Sequence, residues 1–173
     1  EFLVTDGTGA VVGPNNGYYT TDKDGRITIS DLEPGTTITA RETKTLDGYI
    51  LNPTPQTITI KTGEGQTMTF WNKKAGGLIV NKIDALTKKP LAGVKFKITY
   101  ADGSVIGDSN SIFRTDENGE IRIEGLKPGK SVIVTETKAP AGFIIDTQSQ
   151  TAQIKEGRTV SLTFKNQPRG KLI

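Results

Sequence analysis

Apolar and polar residues alternate along most of the chain, in short stretches bounded by glycine and proline. Alternation with a period of two places every second side chain on the same face of a β-strand. In the second half of the chain, this pattern predicts strands near 77–84, 93–100, 111–115, 120–124, 131–137, 148–154 and 159–166. Turns are predicted between them, at DENG, LKPGK and KEGR among others. Short strands at this spacing are typical of a β-sandwich, so the predicted fold class is all-β.

The chain repeats itself with a period of 94 residues. Aligning residue n with residue n + 94 needs no gap, and 30 of the 79 aligned pairs are identical. For example, TTDKDGRITISDLEPG lies over RTDENGEIRIEGLKPG, and RETKTLDGYI lies over TETKAPAGFI. The strand pattern of the second copy is therefore predicted to recur in the first. We expect two tandem Ig-like or prealbumin-like β-sandwich domains at 1–75 and 76–168, with 169–173 as the start of a further repeat or a tail.

The two copies begin at different points of the repeat. The second copy opens with the strand LIVNKID, which contains Lys82, and subtracting 94 places its counterpart before residue 1. The first domain is therefore predicted to lack its N-terminal strand. We expect the chain to be a segment of a longer tandem array, and arrays of small domains usually serve as stalks or spacers.

Three strands of the second copy carry an apolar face that ends in a polar residue. These residues are Lys82 on the first strand, Glu136 on the fifth and Asn166 on the last; Glu42 and Asn72 are the equivalents of the last two in the first copy. A charged group on an apolar face is costly to bury unless it is paired or hydrogen-bonded. Either each strand ends in solvent at this point, or the lysine and glutamate form a buried salt bridge, or the three groups react.

An amine, a carboxylic acid and a carboxamide are the groups needed to form an amide between two side chains. Burial would lower the pKa of Lys82 toward a neutral, nucleophilic amine. It would also keep Glu136 protonated, so that the acid could donate a hydrogen bond to the Asn166 carbonyl. Proximity in a dry core would supply much of the rate. The chain contains no histidine and no cysteine, and this chemistry needs neither of them, nor a metal or a cofactor.

The segments that carry these residues resemble a known family. LIVNKIDALTKKPLAGVKFKI, TDENGEIRIEGLKPG, VTETKAPAGF and LTFKNQP are similar to the Cna B-type domains of Gram-positive surface adhesins and pilins, also described as prealbumin-like or SpaA-like. The resemblance covers the second copy and all of the first except its opening strand. It implies a spontaneous isopeptide bond between Lys82 and Asn166, with Glu136 as the catalytic acid. It also implies an extracellular location, at the cell surface or cell wall.

The first copy departs from the family pattern. Glu42 and Asn72 match it, but the lysine position lies outside the chain, and KTLDGY lacks the proline that Pro140 provides in the second copy. We therefore expect no internal bond in the first domain. Its first sheet is expected to be incomplete, or to be completed by another chain.

Two functions are consistent with the sequence. The first is a structural stalk or spacer module of a surface adhesin or pilus-like protein, with no enzymatic turnover and with adjacent repeats of the same polypeptide as its partners. The alternative is an adhesion module that binds a host matrix protein or a glycan. For that function an aromatic patch could be formed by Tyr18, Tyr19, Tyr49 and Trp71. Alternation predicts that Trp71 faces outward, whereas the repeat aligns most of these residues with core or edge positions.

Charge and composition argue against other classes. The formal charge of +3 is the sum of −2 in residues 1–76 (seven basic, nine acidic) and +5 in residues 77–173 (fifteen basic, ten acidic). No Arg/Lys cluster interleaves with aromatic residues, so nucleic-acid binding is not predicted. No apolar stretch is long enough to span a membrane, and no signal-peptide pattern is present. TDKDGRI resembles part of a calcium loop, but Thr20 and Arg114 stand at its first position in the two copies, so a hairpin turn is favoured over a metal site.

Overall fold

The structure is a computed structural model that describes residues 1–107 and 110–170. The described chain consists of β-strands, turns and one short 3₁₀ turn at Asn15–Gly17, which confirms the predicted all-β class. Its packing divides it into two compact units, Glu1–Lys73 and Lys74–Ile173, here called domain 1 and domain 2. No helix among the described residues is long and apolar enough to cross a membrane.

The strands are numbered in chain order. The first six are β1 (Phe2–Asp6), β2 (Tyr18–Tyr19), β3 (Thr37–Glu42), β4 (Tyr49–Ile50), β5 (Gln56–Thr59) and β6 (Lys73–Lys74). The strands of domain 2 are β7 (Gly76–Asp84), β8 (Lys95–Tyr100), β9 (Ile112–Arg114), β10 (Glu120–Leu126), β11 (Ser131–Lys138), β12 (Phe143–Ile144), β13 (Gln150–Gln153) and β14 (Thr159–Pro168). The alternating segments of the second copy therefore form strands at or close to the predicted positions.

Domain 2 is a sandwich of two four-stranded sheets. One sheet has the order β10-β7-β14-β12 and the other has the order β13-β11-β8-β9. Within the first sheet, β7 pairs antiparallel with β10 and parallel with β14. The parallel register runs from Gly77 opposite Thr159 to Asp84 opposite Asn166. The first and last strands of the domain therefore lie side by side and run in the same direction, an arrangement that alternation alone does not predict.

The core of domain 2 is formed by the inward-facing side chains of both sheets. Those without any solvent exposure include Leu78, Val80, Phe96, Val132, Val134 and Phe164. The rings of Phe96 and Phe164 contact edge to face, with their centroids 5.0 Å apart. Burying each such side chain contributes about 1.5–3 kcal/mol. The apolar half of the alternating pattern therefore provides the energy that holds the two sheets together.

Domain 1 retains one complete sheet of this architecture. Its sheet β2-β1-β3-β5 is equivalent, strand for strand, to the sheet β9-β8-β11-β13 of domain 2. The ring centroids of Phe2 and Phe70 lie 4.8 Å apart with an angle of 60° between the ring planes, close to the 63° between Phe96 and Phe164 at the equivalent positions. The other sheet is represented, among the described residues, by the short pair of β4 and β6.

Two strands expected from the repeat do not form in domain 1. Segments 26–32 and 65–72 are equivalent to β10 and to most of β14, yet neither has strand structure. In domain 2, β10 and β14 both pair with β7. The segment equivalent to β7 in the first copy, 94 residues earlier, would fall before residue 1. The prediction that the strand pattern recurs throughout the first copy is therefore wrong at these segments, because a strand requires the backbone hydrogen bonds of a neighbour as well as alternation.

Candidate functional site

Strands β7, β11 and β14 bring the three predicted polar residues together inside domain 2. Lys82 and Asn166 have no solvent exposure, and Glu136 is 3% exposed. Lys82 lies opposite Phe164 in the parallel ladder, so Asn166 is two residues further along on the same inward face. Glu136 approaches from the opposing sheet. The alternative in which each strand ends in solvent is therefore wrong.

The carboxylate of Glu136 bridges the amine and the carboxamide. Lys82 Nζ donates a hydrogen bond to Asn166 Oδ1 at 2.5 Å and lies 3.1 Å from Glu136 Oε2. Asn166 Nδ2 donates to Glu136 Oε1 at 2.7 Å. The backbone N–H of Asp146 also donates to Glu136 Oε2, at 3.4 Å. Each of the three side chains therefore contacts the other two.

This geometry differs from the expected one in one hydrogen bond. We expected Glu136 to donate to the Asn166 carbonyl oxygen, but Oε1 accepts from the amide nitrogen instead. The reason is that the carbonyl oxygen already faces the Lys82 amine. The carboxylate is therefore placed between the nitrogen that would attack and the nitrogen that would leave.

Burial and Glu136 have opposite effects on the pKa of the Lys82 amine. Burial lowers the pKa of the Lys82 amine below its usual value, and the hydrogen bond and negative charge of Glu136 oppose that shift. The buried salt bridge that the sequence left open is thus present. Such pairs contribute little net stability, because desolvation offsets their attraction. A salt bridge between Lys82 and Glu136 also does not explain why the buried Asn166 hydrogen-bonds to both charged groups.

The backbone of Lys82 is fixed on both sides by groups that the sequence did not single out. Its N–H donates to the Gly119 carbonyl at 2.8 Å, and its carbonyl accepts from the N–H of Leu91 at 2.9 Å. Gly119 has a φ of +71°, and a Cβ at this position would lie 2.5 Å from the Lys82 carbonyl oxygen. The glycine of the DENG turn is therefore required both for the turn and for the close approach to β7. A turn signal indicates the first role but not the second.

Domain 1 also brings together its glutamate and asparagine. Asn72 Nδ2 donates to Glu42 Oε2 at 2.7 Å, to Thr45 Oγ1 at 3.1 Å and to the Ile50 carbonyl at 3.1 Å. The backbone N–H of Asn52 donates to the same Glu42 oxygen at 3.0 Å. Glu42 is 5% exposed, and no Lys or Arg among the described residues forms an ion pair with it.

The sequence of both domains matches one protein family. The model of the SpaA prealbumin-like fold domain matches residues 1–74 and 76–168. The chain belongs to this family. The resemblance inferred from the Lys82, Glu136 and Asn166 segments is therefore confirmed, and so is the pair of prealbumin-like repeats.

This SpaA-type chain is similar in sequence to an adhesin and similar in fold to a pilin. It is 41% identical over 73 residues to a collagen adhesin of Staphylococcus aureus, a match that covers 41% of this chain and 6% of that protein. The TIE protein of Bacillus anthracis is similar in structure, with a TM-score of 0.53, 24% identity, and coverage of 96% of this chain and 30% of that one. The minor pilin GBS52 of Streptococcus agalactiae gives a TM-score of 0.51 at 22% identity, covering 88% and 68% of the two chains. The structural similarities show a shared fold, and this chain spans only a small part of the adhesin.

The aromatic candidates and the calcium-like segment of the first SpaA-type domain differ in their surroundings. Trp71 is 80% exposed, as alternation predicts, whereas the half-buried Tyr19 donates its hydroxyl to the Val12 carbonyl at 3.1 Å. The calcium-like segment TDKDGRI forms a tight turn, in which the side chain of Asp22 accepts backbone N–H groups of its own loop. Its carboxylate therefore has a structural role.

Proposed function

We propose that this chain is a stalk or spacer module of an extracellular Gram-positive surface adhesin or pilus-like protein, with domain 2 locked by an isopeptide bond between Lys82 and Asn166. The observation that carries the proposal is the sealed three-way contact of Lys82, Glu136 and Asn166. Membership of the SpaA family and the similarity to a collagen adhesin and a minor pilin support it.

The chemistry follows from the contacts of Glu136. Lys82 passes a proton to Glu136 Oε2, and the neutral Nζ attacks Cγ of Asn166. The Nζ–Cγ bond forms and the Cγ–Nδ2 bond breaks. Glu136 gives this proton to Nδ2, which leaves as ammonia, and then accepts the second proton that Nζ loses on becoming an amide nitrogen; that proton departs with the ammonia as ammonium. The reaction occurs once and consumes its own site, so the domain is a structural element and not an enzyme with turnover.

The bond stabilises the domain and gives tension a covalent route. It joins residues 84 positions apart, and the chain-entropy treatment used for disulfides gives about 4.5 kcal/mol for a loop of this size. Lys82 and Asn166 lie on the first and last strands, so an amide between them bypasses most of the enclosed polypeptide when the chain is pulled. Reducing agents do not cleave an amide, which suits a surface exposed to changing redox conditions.

Intact-mass measurement tests the proposal. The purified chain should weigh one ammonia less than its sequence, and fragment analysis should assign the deficit to a linked pair of peptides containing Lys82 and Asn166. Lys82→Ala should restore the full mass. Lys97→Ala, which removes an exposed lysine from β8, is the matched control and should keep the deficit. A wild-type chain of full mass contradicts the proposal.

A second candidate function is adhesion to a host matrix protein. The exposed Trp71 and the similarity to a protein named collagen adhesin favour it. The chain should then bind immobilised collagen, and Trp71→Ala should weaken that binding at least tenfold. Equal binding of the wild-type chain to collagen and to albumin contradicts this candidate.

A further inference from the structure

We propose that the outer face of one sheet of domain 2, β13-β11-β8-β9, binds a sulfated polysaccharide. The contact surface consists of four cations on three neighbouring strands, here called the cationic face: Lys95, Lys97, Arg114 and Lys138. Lys95 is half-buried and the other three are exposed. The proposal depends on neither the bond in the core of domain 2 nor the aromatic residues of domain 1.

Strand pairing places three of these cations side by side. Lys95 on β8 lies opposite Arg114 on β9 and, on its other side, opposite Lys138 on β11. Neighbouring strands lie about 4.8 Å apart, so this row of charges spans about 10 Å across the sheet. Lys97 follows Lys95 on the same face, about 7 Å further along β8. The four charges therefore lie close together on one surface.

An irregularity in β11 adds Lys138 to the row. Val134 and Glu136 face inward and are buried, so strict alternation would turn Lys138 inward as well. The register with β8 shifts between Glu136 and Lys138, and Lys138 is exposed. Such a β-bulge changes the direction of a side chain. The strand therefore departs from its regular form at the point where it presents a third cation beside Lys95.

No negative charge on this face compensates the row. The single acidic residue in the four strands of the sheet is Glu136, which faces inward and is buried. None of the ion pairs in the described part of the chain includes a member of the cationic face. In the turn after β9, Asp116 accepts the backbone N–H groups of Asn118 and Glu120. Because like charges opposite each other destabilise a sheet, the row indicates an anionic ligand.

Domain 1 shows that the fold does not require these cations. Its equivalent sheet has the same strand order. The four equivalent positions, 94 residues earlier, are occupied by Glu1, Leu3, Thr20 and Lys44. An acid therefore stands at the centre of the row, where domain 2 has Lys95, and one cation of the four remains. The cationic face is thus a feature of domain 2 and not of the shared architecture.

The other side chains of the sheet disfavour a nucleic acid as the ligand. Proteins that bind single strands stack the bases on exposed aromatic rings. The aromatic residues of these four strands are Phe96, Tyr100 and Phe113, and all three pack in the core of domain 2. The cationic face therefore offers charge without a surface for stacking.

The neighbouring polar side chains favour a sugar chain that carries sulfate groups. Arg114 can bind a sulfate through two parallel hydrogen bonds, and the lysines supply point charges. Beside the cations, β11 and β13 expose the hydroxyl and amide groups of Thr137, Thr151 and Gln153, which can hydrogen-bond to sugar hydroxyls. Contact with such a polymer in nature rests on the extracellular location proposed above, whereas the binding itself does not.

A labelled heparin oligosaccharide tests the proposal on the whole chain. Fluorescence anisotropy at physiological ionic strength should show saturable binding. The triple variant Lys95→Gln, Arg114→Gln, Lys138→Gln should weaken it about tenfold or more, and should make the affinity less dependent on salt because fewer counterions are released. Replacing both lysines of the row by arginine keeps the charge and should retain binding. The melting temperature of the triple variant should stay the same or rise, because opposed like charges are removed.

The matched control removes the same kinds of charge from elsewhere on domain 2. Lys155, Arg158 and Lys165 are exposed and lie outside the cationic face. Changing all three to glutamine should alter the affinity for heparin less than about twofold, since exposed charges far from the ligand are screened by salt. Desulfated heparin, polyphosphate and single-stranded DNA serve as comparison ligands, and each should bind more weakly than heparin.

Several results would overturn the proposal. These are the absence of saturable heparin binding, equal weakening by the two triple variants, and a lower melting temperature of the first variant, which would give the row a structural role. Undiminished binding of desulfated heparin excludes recognition of sulfate, and tighter binding of polyphosphate or DNA excludes a polysaccharide as the ligand. Heparin binding by a chain of full mass would support this proposal while contradicting the isopeptide bond. A chain with the ammonia deficit that does not bind heparin would do the reverse.

Discussion

Domains 1 and 2 hold the same glutamate–asparagine pair in different surroundings. In both, the asparagine Nδ2 lies 2.7 Å from a glutamate oxygen. Asn166 is fully buried on the strand next to β7, whereas Asn72 is half-buried and also donates its amide hydrogens to Thr45 and Ile50. The comparison shows that the carboxylate and the carboxamide are oriented without the lysine. The central strand then supplies both the amine and the exclusion of water.

The same comparison separates the roles of sequence pattern and strand pairing. Segment 65–72 has the alternation of β14 and occupies its place, but without a neighbour it forms no ladder. Strand β7 thus has two roles, because it pairs with its neighbours in the sheet and also carries Lys82. The following predictions test this contrast, beginning with the largest expected effect.

Glu136→Gln should abolish the bond in domain 2 although Lys82 and Asn166 remain in place. A carboxamide cannot take the proton from the amine, so the chain should have its full mass. The free energy of unfolding of domain 2 should fall by about 4.5 kcal/mol. Mass spectrometry and denaturant unfolding measure the two effects. Glu124→Gln, at an exposed position of β10, should change neither, and a surviving deficit in Glu136→Gln would exclude the proposed proton transfer.

The equivalent phenylalanines should differ in their contribution to stability. Phe164→Ala removes a fully buried ring and should cost about 3–5 kcal/mol. Phe70→Ala should cost less, because that ring is only half-buried. Urea unfolding measures both, and the fluorescence of Trp71, the single tryptophan, reports on domain 1. Equal losses would contradict the view that β7 completes the core.

Gly119→Ala should destabilise domain 2 and displace the Lys82 backbone. Its positive φ costs an L-residue about 1–2 kcal/mol, and the added Cβ would also collide with the Lys82 carbonyl oxygen. Gly103→Ala is the matched control, because that glycine has a φ of +83° but open space around its Cβ position. Thermal unfolding should show a larger loss for Gly119→Ala. Similar losses would mean that the contact with Lys82 has no energetic importance.

The smallest expected effect is a pH dependence of the unreacted domain. Asn166→Ala prevents the reaction and leaves Lys82 to titrate. Because burial lowers the pKa of Lys82 in the folded state, the unfolded chain binds more protons between the folded and the unfolded pKa. Stability should therefore rise with pH across that interval. Urea unfolding over alkaline pH measures the slope, and adding Lys82→Ala should remove it; an unchanged slope would assign it to other groups.

The sequence predicted the inward faces of domain 2 because alternation acts on each strand separately. The inward positions of Lys82, Glu136 and Asn166 follow from the apolar residues that precede them on the same faces. Their convergence does not follow in this way, because it depends on the parallel pairing of β7 with β14 and on the stacking of two sheets. The complementary chemistry of the three groups suggested their convergence, and the resemblance to a family specified the bonded pair; the periodicity supplied neither.

Other features were beyond prediction from the pattern. Segments 26–32 and 65–72 alternate, but pairing with a neighbour decides whether a strand forms. The orientation of the Asn166 amide depends on which side chain faces its oxygen, a relation between three strands. The contact of Gly119 with Lys82 likewise joins a turn to a distant strand. Each of these features is a tertiary relation that local sequence does not contain.

The parallel alignment of β7 and β14 determines how domain 2 would respond if its two ends were drawn apart. One strand would slide lengthwise past the other, so the ladder would resist in shear across all its rungs at once. Antiparallel terminal strands would instead peel open from one end, breaking a single rung at a time. The parallel register thus places these two strands in a shear geometry that does not depend on any covalent bond between their side chains.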